Sequence, residues 1–168
     1  MTTSSSFLVF ELGEQKYALR LPVVKRVIPA VEITPLPKAP KIVIGIINMH
    51  GQIIPVFNIR KRFHLPDREV RVTDQLIIAD TARYTVALLV DSASGIIEYA
   101  PQEITDPGTI LPVTEYVEGV VRLENDMVLI HNLDTFLSLD EARVLEQALK
   151  EEQIQENGVT ANGIMSKE

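Results

Sequence analysis

The sequence contains no cysteine and no tryptophan, and aromatic residues make up only 5% of it. Without cysteine the chain forms no disulfide, offers no thiol nucleophile and binds no metal through thiolates. Long apolar runs are also missing. The longest, such as Ile42 to Ile47, fall far short of the ~20 residues a helix needs to span a bilayer. Met1 to Ser6 is polar and has no basic segment, so no secretory signal is expected and the protein reads as cytoplasmic. Net positive charge is absent as well. The formal charge is −7, with much of the acid in Glu151, Glu152, Glu156 and Glu168, which argues against general binding to nucleic acid through phosphate neutralisation. The one basic cluster, Arg60, Lys61, Arg62 and Arg68, is read as a solvated patch that keeps one corner soluble.

What is present is Val and Ile within a hydrophobic content of 46%, a bias toward strands over helices. At 168 residues the chain can build one full core, or two small lobes that share one. The apolar residues also repeat. Gly45–Ile54 can be laid on Gly119–Val128, and the match continues without a gap through Val56/Ile130, Asn58/Asn132, Ile59/Leu133 and Phe63/Leu137, at an offset of 74. Glu32-Ile33-Thr34 recurs as Glu103-Ile104-Thr105 at an offset of 71. Ala18-Leu19 and Val27-Ile28 recur as Ala87-Leu88 and Ile96-Ile97 at an offset of 69, and Leu8-Val9 then falls on Ile77-Ile78. Four blocks in one order, drifting only at loops, indicate internal duplication.

Each half supplies short apolar runs separated by turns, the pattern of a small barrel or sandwich. In the first half the expected strands are Phe7–Leu12, Lys16–Leu21, Val23–Ile33, Ile42–Met49 and Gln52–Asn58. In the second they are Gln75–Asp80, Tyr84–Asp91, Gly95–Tyr99, Val117–Leu123 and Met127–His131. Pro35, Pro37 and Pro40 mark a corner that cannot lie in a central strand. The charged stretch Arg60 to Val72 is the connector between halves. One helix is expected, over 139–150, where Ser138-Leu139-Asp140-Glu141 has the form of a capping box. Ala142, Leu145 and Leu149 would line its apolar face. Residues 1–6 and the acidic stretch 151–168 are expected to be flexible.

Motifs for chemistry are missing. There is no HExxH, GxSxG, Walker-type loop or GxGxxG. Of the three histidines, His64 lies in the connector, and His131 ends a strand where it is placed to help start the helix. His131 with Asp134 falls short of the ligand count that a metal needs. His50 stands beside Gly51, and the repeat sets this pair on Glu124 and Asn125. Gly and Asn most readily take φ > 0, as two-residue hairpin loops require. Both halves are therefore expected to place a tight hairpin here, with His50 and Glu124 exposed at the tips. A side chain on a solvated tip is a poor general base and a good contact for another protein. No catalytic residue, cofactor site or metal site is assigned, and the chain is not read as an enzyme.

The stretch VIGIINMHGQIIPVFNIRKRF (Val43–Phe63), with Tyr17-Ala18-Leu19, Val24, Val27-Ile28, Ile33-Thr34-Pro35 and Pro40, resembles the CheW-like domain of bacterial chemotaxis. Gly119-Val120-Val121, Ile130 and Leu133-Asp134 extend the likeness through the second half. The resemblance covers Phe7 to about Gln147. It implies a mainly β fold: two intertwined five-stranded SH3-like β-barrels related by the internal repeat, followed by a C-terminal helix. The barrels would comprise roughly 16–70, and 7–15 with 71–137, within one domain of residues 7–150. It further implies a non-catalytic adaptor that couples the tip of a methyl-accepting chemoreceptor to the regulatory domain of a CheA-type histidine kinase, with no cofactor. Carried over by position, the partner-binding residues are Val24, Arg26, Val27, Ile28, Gly45, Asn48, Met49, His50 and Gly51. The family commonly has Arg where His50 stands and Glu where Arg26 stands, which can form an ion pair. Here both differ, which bears on partner choice. Other readings of the same residues are an adaptor for pilus motility or another two-component pathway, a nucleic-acid-binding barrel, and a ligand-binding protein with a pocket between the barrels.

Overall fold

The computed structural model describes residues 4–106, 116–135 and 140–152. They form strands β1 (Ser5–Leu12), β2 (Gln15–Arg20), β3 (Val24–Pro29), β4 (Val43–Met49), β5 (Gln52–Phe57), β6 (Gln75–Asp80), β7 (Thr85–Val90), β8 (Ser92–Tyr99), β9 (Ile104–Thr105), β10 (Val117–Arg122) and β11 (Met127–His131). A helix, α1, follows over 140–152. Every expected strand is present within a few residues. The exceptions to its detail are instructive. The run expected to reach Ile33 stops at Pro29, and β9 was not expected. Ser5 and Ser6, placed in a flexible start, pair with Tyr99 and Glu98. The helix continues through residue 152, and the capping residue Ser138 lies outside the described residues.

The strands make two mixed sheets, ordered β8-β1-β2-β11-β10-β9 and β3-β6-β7-β5-β4. All pairings are antiparallel except β2 with β11 and β5 with β7. The duplication is visible in the register. Val9 faces Ala18 in one sheet, and its counterpart Ile78 faces Ala87 in the other. Val56 lies parallel to Ala87 just as Ile130 lies parallel to Ala18. Thr34 bridges Ile46, and Thr105 pairs with Val120. Even the bulges correspond: the ladder shifts between Val43 and Gly45 and again between Val117 and Gly119.

The two halves have exchanged their first strands. β1 and β2 pair with strands of the second half, and β6 and β7 pair with strands of the first. The six-stranded sheet therefore holds β1 and β2 with β8 to β11, and the five-stranded sheet holds β3 to β5 with β6 and β7. β2 stays beside its hairpin partner β1, since a two-residue turn at Gly13-Glu14 leaves it no reach to another sheet.

Side-chain alternation explains why the strands read as nearly continuous apolar runs. Phe7 and Val9 of β1 enter a cluster with Ala18, Val121, Val128 and Ile130, on one face of the six-stranded sheet. Leu8, Phe10 and Leu12 enter a larger cluster that also holds Ile77, Leu88 and Val90 of the other sheet. β6 does the same: Leu76 and Ile78 face a cluster of the five-stranded sheet, while Ile77 and Ala79 face the shared one. A strand buried on both faces needs apolar residues at successive positions. Each such side chain contributes roughly 1.5–3 kcal/mol by leaving water. α1 closes the shared cluster with Leu145 and Ala148.

Candidate functional site

The five-stranded sheet ends in β3 on one side and β4 on the other, and the expected partner-binding residues lie on these two edge strands and the tip that follows β4. β3 follows a 3-10 turn, Leu21–Val23, opened by Pro22. Its ladder with β6 slips between Val24 and Arg26, leaving Lys25 as the extra residue of a bulge. The bulge puts Val24 on the same face as Val27, where both pack on the shared cluster, while Ile28 packs on the sheet's own cluster. Lys25 and Arg26 stand exposed. Lys25 is tied to Asp80 at 3.4 Å.

Met49 packs on the same cluster as Ile28, so both edge strands contribute to one apolar body. Beyond Met49, His50 and Gly51 form a two-residue loop that closes on the pair Met49↔Gln52. Both have positive φ, 53° and 87°, as a primed hairpin turn requires. Asn48 Oδ1 accepts a hydrogen bond from the Gly51 amide at 2.9 Å. Asn48 thus shapes the turn, and His50 projects from an exposed tip. Among the described residues, Arg26 and His50 share no hydrogen bond or ion pair.

Gly45 does not belong to this surface. It is buried, and a Cβ there would sit 2.2 Å from the Thr34 carbonyl oxygen. Its role is to let residues 33–34 cross over β4. Gly119 does the same for Ile104 on β10, with a Cβ 2.6 Å from Ile104 Cγ2. The second hairpin also departs from expectation. Neither Glu124 nor Asn125 is among the residues with positive φ. That tip is a wider loop in which the Leu123 amide donates to the Asp126 carbonyl, and Asp126 Oδ1 accepts from the Met127 amide. One backbone bond and one side-chain bond there replace the left-handed backbone of the first tip.

Of the basic cluster only Lys61 is exposed; the three arginines are not a solvated patch. Arg60 pairs with Asp91, Arg68 with both Asp74 and Asp91, and Arg62 with Glu141 of α1. Asp74 is 2% exposed, and Asp91 also accepts the Gly13 amide at 2.7 Å. A charge this close to the interior must be paired and hydrogen-bonded, so Arg60, Arg62 and Arg68 are consumed internally. Burial alone would raise the Asp74 carboxyl. Hydrogen bonds from Arg68 and the Arg71 amide outweigh it and hold the group below its usual value. For Asp91, burial is likewise overcome, by the Gly13 amide and by Arg60 and Arg68. This network was missed because its acids are far apart in sequence. The available signal was an aspartate directly before one apolar strand (Asp74) and directly after the next (Asp91).

His131 is buried at the end of β11, not at a helix start, and its ring meets Phe63 edge-on at 5.3 Å. Burial pushes its pKa down to about 3. Among the described residues no three His, Asp or Glu side chains come together as a metal-ligand set. No helix among them is long and apolar enough to cross a membrane.

Comparison with known proteins agrees with the geometry. The family model of the CheW-like domain matches residues 6–141. Chemotaxis protein CheW of Treponema pallidum is 26% identical over 144 residues, spanning 82% of this chain and 85% of that protein. Chemotaxis protein CheW of Bacillus subtilis is 27% identical over 143 residues, spanning 84% of this chain and 92% of that protein. Among solved structures, the scaffolding protein TtCheW from Thermoanaerobacter tengcongensis superposes with a TM-score of 0.74 at 30% identity, covering 83% of this chain and 96% of its own.

Proposed function

Because the chain belongs to the CheW-like domain family, we propose that it is a non-catalytic adaptor coupling a methyl-accepting chemoreceptor tip to the regulatory domain of a CheA-type histidine kinase, in the cytoplasm beside membrane receptors. The observation that carries this reading is the match to a scaffolding protein along nearly its whole length. The edge strands support it. Val24, Val27, Ile28 and Met49 are half-buried apolar side chains, and Arg26, His50 and Gly51 are exposed next to them. Apolar anchors ringed by polar groups are the usual make-up of a binding hot spot.

Purified chain should capture both a cognate receptor-tip fragment and the kinase regulatory domain. Capture of neither would overturn the reading. A second reading, in which the same adaptor serves pilus motility or another two-component pathway, is favoured by Arg26 and His50. Together they replace the acid–base pair common in the family, and both are exposed. Arg26→Glu with His50→Arg should then shift capture toward standard chemotaxis partners. Unchanged selectivity would remove this second reading and leave the first.

A further inference from the structure

α1 is a lightly attached element of the molecule. Over 140–152 it buries only Ala142, Leu145 and Ala148 fully, and two of these are alanines. An isolated helix of this length is marginal in water, so its place depends on how it is held. Among the described residues three ion pairs reach it: Arg62 with Glu141, Arg83 with Glu146 at 3.2 Å, and Lys38 with Glu151 at 3.5 Å. Only the first is sheltered. The Arg83 and Glu146 side chains are 59% and 45% exposed, and exposed pairs contribute about 0–1 kcal/mol.

The three cations come from three separate parts of the body: the turn before β4, the connector, and the β6–β7 hairpin. They are spread along one seat, meeting Glu141, Glu146 and Glu151 of α1. Arg62 also lies over the Tyr116 ring at 5.2 Å. Lys38 is held with φ of 65° directly after Pro37, where a turn ordinarily takes glycine. On the helix, 100° per residue sets Glu146 and Glu151 on opposite flanks of the Leu145 stripe. That seat, where Leu145 and Ala148 enter the shared cluster with Leu149 against it, is rimmed by three cations and receives a helix with a small apolar stripe flanked by glutamates.

We propose that this seat is a docking site for an acidic amphipathic helix, filled in cis by α1 and open to exchange with a partner helix of the same pattern. The occupant's chemistry follows from α1 itself and from the complementary rim. The proposal stands independently of the receptor and kinase reading. Its test uses a fluorescein-labelled peptide of residues 138–152, titrated into the full chain. Wild type should bind it poorly, because α1 is already in place. Leu145→Ser in the full chain weakens α1 while leaving the rim intact, so it should bind about tenfold tighter as the competent fraction rises. Hydrogen exchange of the strand amides should be unchanged. Adding Lys38→Glu and Arg83→Glu should abolish the gain. The proposal is overturned if Leu145→Ser gains no affinity, if the gain survives reversal of the rim charges, or if Leu145→Ser exposes the strand amides.

Discussion

The two sheets share one ladder pattern but resolve their chain crossings differently. One crossing lies at Asp91, between β7 and β8. At the offset of 69 its counterpart is Pro22, between β2 and β3. At Asp91 the connector folds back and supplies Arg60 and Arg68, leaving a cavity of about 250 Å3 lined in part by Ile44, Asn58 and Leu89. At Pro22 the hollow is about 430 Å3, bordered by Ser4–Ser6, Arg20 and Leu21. Its arginine comes from the sheet itself and pairs with Glu118, half in solvent. The edges differ in the same spirit. Val27 and Ile28 on β3 are half-buried, whereas their counterparts Ile96 and Ile97 on β8 are 62% and 43% exposed. A duplicated backbone register thus tolerates wide divergence in what covers it, because ladder bonds are made by the backbone and the register is set by apolar alternation, not by the particular side chains.

Breaking the crossings should give the largest contrast. Arg68→Ala leaves Asp74 buried without its cation and should cost about 3–5 kcal/mol. Arg20→Ala, at the other crossing, should cost about 1 kcal/mol or less. Urea melts of the two variants measure the difference, and equal losses would contradict the distinction drawn between them.

The paired glycines give the next contrast. Gly45→Ala pushes a Cβ into backbone at Thr34, whereas Gly119→Ala meets the branch methyl Cγ2 of the half-buried Ile104, a side-chain atom that can yield through χ1. Overpacking of this kind costs about 1–3 kcal/mol, so Gly45→Ala should lie at or above the top of that range and Gly119→Ala near its bottom. The order of the two midpoints in thermal denaturation is the readout.

The smallest effect near neutral pH separates His131 from its counterpart Phe57. His131 stays neutral in the folded chain down to about pH 3, while in the unfolded chain it gains a proton near 6.5. The unfolded state therefore binds more protons between these values. Stability is undiminished above 6.5 and falls as pH drops toward 3, by up to about 1.4 kcal/mol per unit. Asp74 and Asp91 contribute their loss only at lower pH, as they protonate in the folded state. His131→Phe, which copies the residue at Phe57, should flatten the curve between pH 6.5 and 4 and leave the steeper acid limb. A wild-type slope that persists in His131→Phe would place the titrating group elsewhere.

Much of the fold was legible because the repeat marks its own strands. Gln75–Asp80 and Met127–His131 were readable to the residue, since Val, Ile and Leu runs ended at polar turns. The first hairpin tip was readable from Gly51. The second was not, because Asn125 permits a left-handed turn without requiring one, and Asp126 offered its side chain instead. Gly45 looked like surface because a glycine's sequence gives no sign of whether solvent or another strand lies above it. The connector arginines looked solvated because their partners, Asp74 and Asp91, are brought to them only by folding.

By itself, then, the sequence determined the long strands, the Gly51 turn and the duplication, all of which follow from local alternation and backbone preference. Which half each strand joins, which charges are buried and what covers α1's seat were decided only in the tertiary structure. Those outcomes rest on contacts between residues tens of positions apart, and no periodicity in the chain encodes them.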